Sequence, residues 1–177
     1  MIEKTLERYK AMFKSFDVKD LQMNPFEYIG SKWMLITAGS GEAFNTMTAS
    51  WGTLGVLWNK PISQCFIRPG RYTYEFIEKN YFYTLCFFDE KYRDALKFCG
   101  AKSGRDVDKV KETGLTPAVH QSGAVYFEEA ELVLVCRKLY HEDIDPNNFK
   151  ISEIDNNYPQ KDYHRMYTGE IIEALVK

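Results

Sequence analysis

Two short runs carry the residue types that could do chemistry. Asn45, Thr46, Met47, Thr48, Ala49, Ser50 and Trp51 form a small, hydroxylated stretch ending in a bulky aromatic. Such a stretch suits a flat heteroaromatic ring whose edge must meet backbone N–H groups at close range. One strand later come Arg68, Arg71, Tyr72 and Thr73, with Pro69 and Gly70 between the arginines. The second run sits where a helix should begin. There the free N–H groups and the positive end of the helix dipole would hold a phosphate, guanidinium would add a bidentate grip and the Thr73 hydroxyl a donor. A ring site followed by a phosphate site reads as a nucleotide-like cofactor, and flavin mononucleotide (FMN) fits best. A single compact phosphate site, with no second one for an adenylate, favours FMN over FAD. The competing reading of Asn45 to Trp51 is an ordinary strand with its hydroxyls in solvent. For the arginines it is a charged loop.

These sites must be positioned by a modest chain. At 177 residues it fits one domain, 1–177, long enough to bury a core. Hydrophobic residues make up 45% and charged residues 27%, which is globular rather than disordered. Twenty-five acids against 23 bases give a net charge of −2, which argues against nucleic acid as the main partner. Cys65, Cys86, Cys99 and Cys136 form no C-x-x-C pair and there are three histidines, so a structural zinc site is not expected. The cysteines read as reduced thiols of a cytoplasmic protein. The charged N-terminus has no apolar signal core, and no apolar stretch approaches the roughly 20 residues of a membrane span.

Residues 2 to 16 have the spacing of an amphipathic helix: Ile2, Leu6, Tyr9, Phe13 and Phe16 recur on one face. Asn24 and Pro25 break that pattern. Strands are expected at 32–38, 44–51, 55–59, 62–68, 81–88, 124–127, 132–140 and 163–170, and helices at 71–79, 90–98 and 107–112. Residues 146–160 are polar and loop-like. Leu132 to Cys136 is apolar throughout, as in a strand buried on both faces. Strands and helices do not alternate regularly, so the fold class is mostly β: an antiparallel β-barrel with peripheral helices. Trp51 and Trp58 could wall a bound ring, with core packing the alternative for Trp58.

Five segments in order resemble one family. N-x-M-T-x-S-W-G at 45–52 is followed by W-x-x-P at 58–61 and R-P-x-R-Y-T at 68–73. The stretch 103–109 is similar to an S-G-x-x-x-D-K loop, and 162–169 to a D-H-x-x-x-x-G segment before the last strand. Together they resemble the flavin reductase-like FMN-binding split-barrel proteins, in the branch that includes flavoredoxin. The resemblance implies a homodimer with FMN at or near the subunit interface. It implies redox chemistry with NADH or NADPH, or with a redox-protein electron donor. It also implies that Ser103, Gly104 and Lys109 contact the phosphate or ribityl chain, where the pattern alone gives a solvated loop. His164 departs from the family's Gly-Asp-His run, because Tyr163 is inserted and no glycine precedes Asp162. It is either a catalytic-site group beside flavin and nicotinamide, or a surface or core hydrogen-bonding residue. His120 and His141 carry no motif. An FMN-dependent oxidoreductase and a non-enzymatic electron carrier both satisfy this pattern.

Overall fold

The computed structural model describes residues 13–41 and 43–177. The helix expected at 2–16 falls mostly outside them. Its last turn is not helical: Lys14–Phe16 is a strand, β1, whose backbone pairs with Ala174 to Val176. Sheet pairing with a distant strand here overrides a helical spacing of aromatics.

Nine further strands follow among the described residues: β2 (Met34–Ser40), β3 (Ala43–Ala49), β4 (Gly52–Leu57), β5 (Lys60–Ile67), β6 (Phe82–Phe87), β7 (Pro117–Val119), β8 (Val125–Phe127), β9 (Leu132–Asp143) and β10 (Arg165–Val176). The helices are α1 (Tyr72–Lys79), α2 (Arg93–Ala101) and α3 (Lys109–Thr113). The main sheet is antiparallel, in the order β3-β2-β6-β9-β10-β5-β4, with β1 on β10. It curls into a split barrel with helices at its periphery. β7 and β8 form a separate hairpin, touching the sheet through a bridge between Ser40 and Ala124.

Period-2 alternation sends side chains to two cores. Met34, Ile36, Leu85, Leu134, Cys136 and Tyr167 meet inside the barrel. Leu35, Cys86, Val133, Val135 and Leu175 meet Leu96 of α2 and Phe127 of β8 on the other face. Both faces of β9 are therefore buried, which is why Leu132 to Cys136 is apolar without a break. All four cysteines are buried free thiols. Burial pushes Cys99 up to about 11, and Cys86 and Cys136 up to about 12. β10 carries a register shift at Gly169, where a Cβ would strike the ring of Tyr83; the Tyr83 hydroxyl meets Ser63 Oγ at 2.9 Å.

Several expectations shift at their edges. Phe26–Lys32 is a π-helical segment that puts Ile29 into the inner core. β10 runs on to Val176, because β9 and β1 both pair with its second half. Residues 146–148 and 152–157 are 3-10 turns. Trp58 is not in the core: it sits at the β4–β5 turn with φ 52°, exposed, its ring beside Tyr140.

β3 and β4 are the two ends of the strand order, joined only through Ser50 and Trp51. The barrel is split there. The N-terminus of α1 and the loop between α2 and α3 lie against the β3 side of that seam, and the segment before β10 lies against the β5 side.

Candidate functional site

Two adjoining pockets lie along the seam. The first, about 80 Å³, is enclosed by Asn45, Arg71, Thr73, Lys102, Ser103 and Lys109, among others. The second, about 180 Å³, is formed by Met47 to Trp51, Phe66, Arg68, Arg71 and His164. Met47 and Arg71 border both.

The lining of the small pocket is rich in hydrogen-bond donors and positive charge. α1 begins at Tyr72 with Arg71 as its N-cap, and no side chain caps it. Aspartate carboxylates cap the turns or helices that begin after Asp17, Asp89 and Asp108. Arginine accepts no hydrogen bonds, so the first N–H groups of α1 are left for another acceptor. Thr73 is fully buried, and its Oγ1 accepts a hydrogen bond from Asn45 Nδ2 at 2.8 Å, which leaves its hydroxyl proton to donate.

Lys109 is 7% exposed, and its Nζ donates to the carbonyls of Thr46 and Cys99, each at 2.7 Å. An ammonium has three protons, and these carbonyls take two. Burial pulls the Lys109 pKa down; Cys99 opposes that and the Arg71 guanidinium adds to it. A buried cation held by neutral carbonyls, with a second cation beside it, is an arrangement that an anion would stabilise. Gly104 closes the wall: a Cβ there would collide with Asn45 Oδ1 and lie 3.2 Å from Tyr72 Cδ1. Ser103 Oγ accepts from the Arg105 N–H at 3.2 Å.

The larger pocket has an aromatic wall. The rings of Trp51 and His164 are 5.2 Å apart, tilted by 56°. His164 Nδ1 shares a 2.9 Å hydrogen bond with the buried Tyr158 hydroxyl. Burial, aided by the positive charges of Arg68 and Arg71 and opposed by Asp162, lowers the imidazole from 6.5 to about 4. His164 is neutral at pH 7.

Arg68 is already engaged. Its Nη1 donates to both carboxylate oxygens of Asp162, at 2.8 and 2.9 Å, and its Nη2 to the carbonyl of Asn157 at 2.8 Å. Its guanidinium also lies over the Tyr158 ring. Arg68 thereby moors the segment that carries Tyr158 and His164. It borders the ring-sized pocket and not the small one, whereas Arg71 borders both.

Within β3 the roles divide. Asn45 and Met47 face the small pocket. Thr46 Oγ1 turns to β2, meeting Thr37 Oγ1 at 2.9 Å, and only its carbonyl serves the site. Thr48 Oγ1 donates to the Leu96 carbonyl at 2.5 Å and ties β3 to α2. Tyr72 packs edge-on to Phe76 and beneath the Arg105 guanidinium. Phe66 and Lys102 join the site without having been singled out in the sequence. Phe66 follows inward-facing Cys65 by the alternation of β5, and Lys102 is the neighbour of Ser103. His120 lies elsewhere, buried between Ser122 Oγ and Glu173 Oε2, each at 2.8 Å. Among the described residues no cluster of His, Cys, Asp or Glu could hold a metal ion, and no helix is long and apolar enough to cross a membrane.

The chain is thus a split antiparallel barrel with two adjoining pockets on its seam, one lined by cationic and hydroxyl groups and one walled by aromatic rings. Residues 26–177 match the model of the flavin reductase like domain, and the chain belongs to that family. Among solved structures, it is similar to an FMN-binding protein from Thermus thermophilus, at 19% identity and a TM-score of 0.66, covering 93% of this chain and 82% of that one. It is similar to the flavoredoxin of Desulfovibrio vulgaris (Miyazaki F), at 21% identity and 0.65, over 82% and 69%. It is also similar to an NADH:FAD oxidoreductase of Streptomyces globisporus C-1027, at 18% and 0.61, over 82% and 75%. At these identities the likeness is one of fold. No curated protein sequence matches the chain.

Proposed function

We propose that this chain binds FMN and acts as a flavin reductase-like oxidoreductase, taking hydride from NADH or NADPH and passing electrons to free flavin or another acceptor. The observation that carries the reading is the buried Lys109 ammonium, held by two carbonyls beside Arg71 and the uncapped start of α1, next to a ring-sized pocket. The residues fit FMN: one anion pocket for its phosphate, and one flat, aromatic-walled pocket for its ring.

In this reading Arg71, Lys109 and the N–H groups of α1 hold the phosphate, with the hydroxyls of Thr73 and Ser103 as further donors. Met47 to Trp51 line the ring, and the small side chains of Ala49 and Ser50 let backbone groups reach its edge. The flavin, when bound, supplies the hydride and electron chemistry. Arg71 and Lys109 contribute positive charge at the seam, which favours electron uptake there, while Arg68 is balanced by Asp162. His164, neutral and fixed by Tyr158, orients the nicotinamide or hydrogen-bonds the ring edge and gives up no proton.

The working unit in this reading is a homodimer. Val56, Leu57, Trp58, Tyr81 and Tyr140 leave apolar surface exposed. The strand at 82–87 contributes none of it, because β6 is central and its side chains are largely buried. Light scattering should give about twice the 20.7 kDa of one chain; a monomer mass at micromolar concentration with FMN bound would exclude the dimer.

The test is the absorbance spectrum of the purified chain, identification of any released chromophore, and steady-state NAD(P)H oxidation with and without added FMN. Failure to retain or bind FMN refutes the reading. Trp51 is 44% exposed at the mouth of the ring pocket, which favours a second reading, an electron carrier exchanging electrons with a docked redox protein. Bound flavin that dithionite reduces but NAD(P)H does not would select it.

A further inference from the structure

A row of aromatic rings leads away from the ring-sized pocket. Trp51 lines that pocket and is exposed at its mouth. Its ring centroid lies 5.2 Å from that of His164. The His164 ring lies 5.5 Å from Tyr158, and Tyr158 lies 4.9 Å from Tyr163. Tyr158 is buried and Tyr163 half-buried, so the row passes through the interior and comes out at the segment before β10. Ring contacts are common in a chain with twelve tyrosines and three tryptophans. What distinguishes this row is that each phenol has an acceptor for its proton. The Tyr158 hydroxyl donates to Nδ1 of the neutral His164 at 2.9 Å. The Tyr163 hydroxyl donates to Asp155 Oδ1 at 2.8 Å. A phenol gives up an electron readily only when its proton can leave with it, because the phenol radical cation is a very strong acid. We propose that Trp51, Tyr158 and Tyr163 form a relay that carries a one-electron oxidation from the mouth of the pocket to the protein surface. The inference needs no bound flavin and stands apart from the reading given above.

Charge sets the direction. The Arg68 guanidinium lies 5.1 Å from the Tyr158 ring centroid, which disfavours loss of an electron there. Tyr163 has a carboxylate beside it instead, and Lys161 holds the other oxygen of Asp155 in place. Tyr158 is therefore the stepping stone and Tyr163 the terminus. The steps balance as follows in electrons and protons. An oxygen-derived radical takes one electron from Trp51, and the indole N–H proton goes to water. Tyr158 gives an electron to the indolyl radical, which recovers a proton from water, while the Tyr158 hydroxyl proton shifts to His164 Nδ1. Tyr163 then gives an electron to the Tyr158 radical. His164 returns the borrowed proton, and the Tyr163 proton shifts to Asp155. At the surface a thiol supplies one electron to the Tyr163 radical, and Asp155 gives the proton back. The net transfer is one electron from thiol to oxidant, with every side chain as it began.

Pulse radiolysis in azide solution tests the relay on the full-length chain, because the azide radical oxidises tryptophan in preference to other side chains. Trp58 is exposed beside Tyr140, whose hydroxyl has Glu142 as its acceptor, so the measurement uses a Trp58→Phe background. Trp33 carries the Arg93 guanidinium 4.3 Å from its ring centroid and resists oxidation for that reason. In the background chain the indolyl absorption should decay into phenoxyl absorption, in a first-order step whose rate is independent of protein concentration. Adding Trp51→Phe or Tyr158→Phe should abolish that step. Adding Tyr163→Phe should keep it but slow repair of the phenoxyl radical by glutathione, since the radical is then held on buried Tyr158. No conversion in the background chain, or conversion that survives Trp51→Phe or Tyr158→Phe, overturns the relay. Repair by glutathione that is indifferent to Tyr163→Phe overturns its outlet. Trp51 is exposed, so its variant keeps the test decisive even if Tyr158→Phe does not fold.

Discussion

Arg71→Ala separates holding a ligand from holding the fold. The Arg71 side chain is exposed, and its protein contact is one 3.2 Å bond to the Gly100 carbonyl. It caps α1 through backbone alone, so alanine takes nothing from the cap. An exposed bond of this length is worth at most about 1 kcal/mol to folding. A charge-assisted bond to phosphate is worth roughly 1.5–3 kcal/mol, which is about 10- to 100-fold in affinity. FMN affinity, read by flavin fluorescence, should therefore fall 10- to 100-fold on this estimate, while the thermal midpoint without flavin barely moves. Lys109→Met behaves differently. It strips the donor from the Thr46 and Cys99 carbonyls, each costing about 1–3 kcal/mol if left unpaired, while relieving the desolvation of a buried ammonium. That variant should lose both affinity and stability. If Arg71→Ala keeps full affinity and Lys109→Met does not, Lys109 alone anchors the phosphate. If neither weakens FMN, the phosphate is not in this pocket and the reasoning fails.

Three further outcomes are expected. His164→Ala should slow reduction of bound flavin by NADH and NADPH in stopped flow while FMN still binds; unchanged rates with both donors would remove His164 from the site. Stability should fall with acid across the window set by His164, from the ordinary 6.5 down to about 4. There the unfolded chain takes a proton that the folded imidazole refuses, so the unfolded state binds more protons and stability rises with pH. Thermal midpoints from pH 7 to pH 4 should drop less steeply for His164→Gln, and parallel curves would contradict this. Gly104→Ala should weaken FMN by displacing Asn45 from Thr73, which retained affinity in a titration would disprove.

What the sequence disclosed was local. The run Asn45 to Trp51 is a strand because its residues favour extended backbone, and α1 starts beside Arg71 because Pro69 and Gly70 stop the strand before it. Five motifs in order were enough for the family. What stayed hidden was the assignment of partners. Arg68 looks like a phosphate ligand until its carboxylate partner is located 94 residues further on. Residues 146–157 are polar enough to read as a loop, yet the chain that follows them brings Tyr158 against His164 and Arg68. The first strand was misread because Phe13 and Phe16 keep a helical spacing, whereas pairing with the end of β10 fixes the backbone there. A cleft of about 790 Å³ beside the small pocket was hidden for the same reason: its walls come from β3, α1 and the Gly104 to Val110 segment, and no single run contains it.

The location of the site follows from the sheet's own accounting. β3 pairs with β2 along its whole length and, among the described residues, has no strand on its other edge. Backbone groups on a bare edge must find partners elsewhere. Lys109 takes the carbonyl of Thr46, and the side chain of Thr48 brings α2 against the strand. Beyond Thr48 the edge runs into the ring-sized pocket, beside the small residues Ala49 and Ser50. In the flavin reading, a planar ring with donors and acceptors on its rim would do there what a neighbouring strand does elsewhere, while its phosphate would neutralise the cation that secures the next part of the edge. In that reading the split in the barrel is the feature that makes room for the ligand, and the bare edge explains why the Lys109 ammonium is buried on two backbone carbonyls.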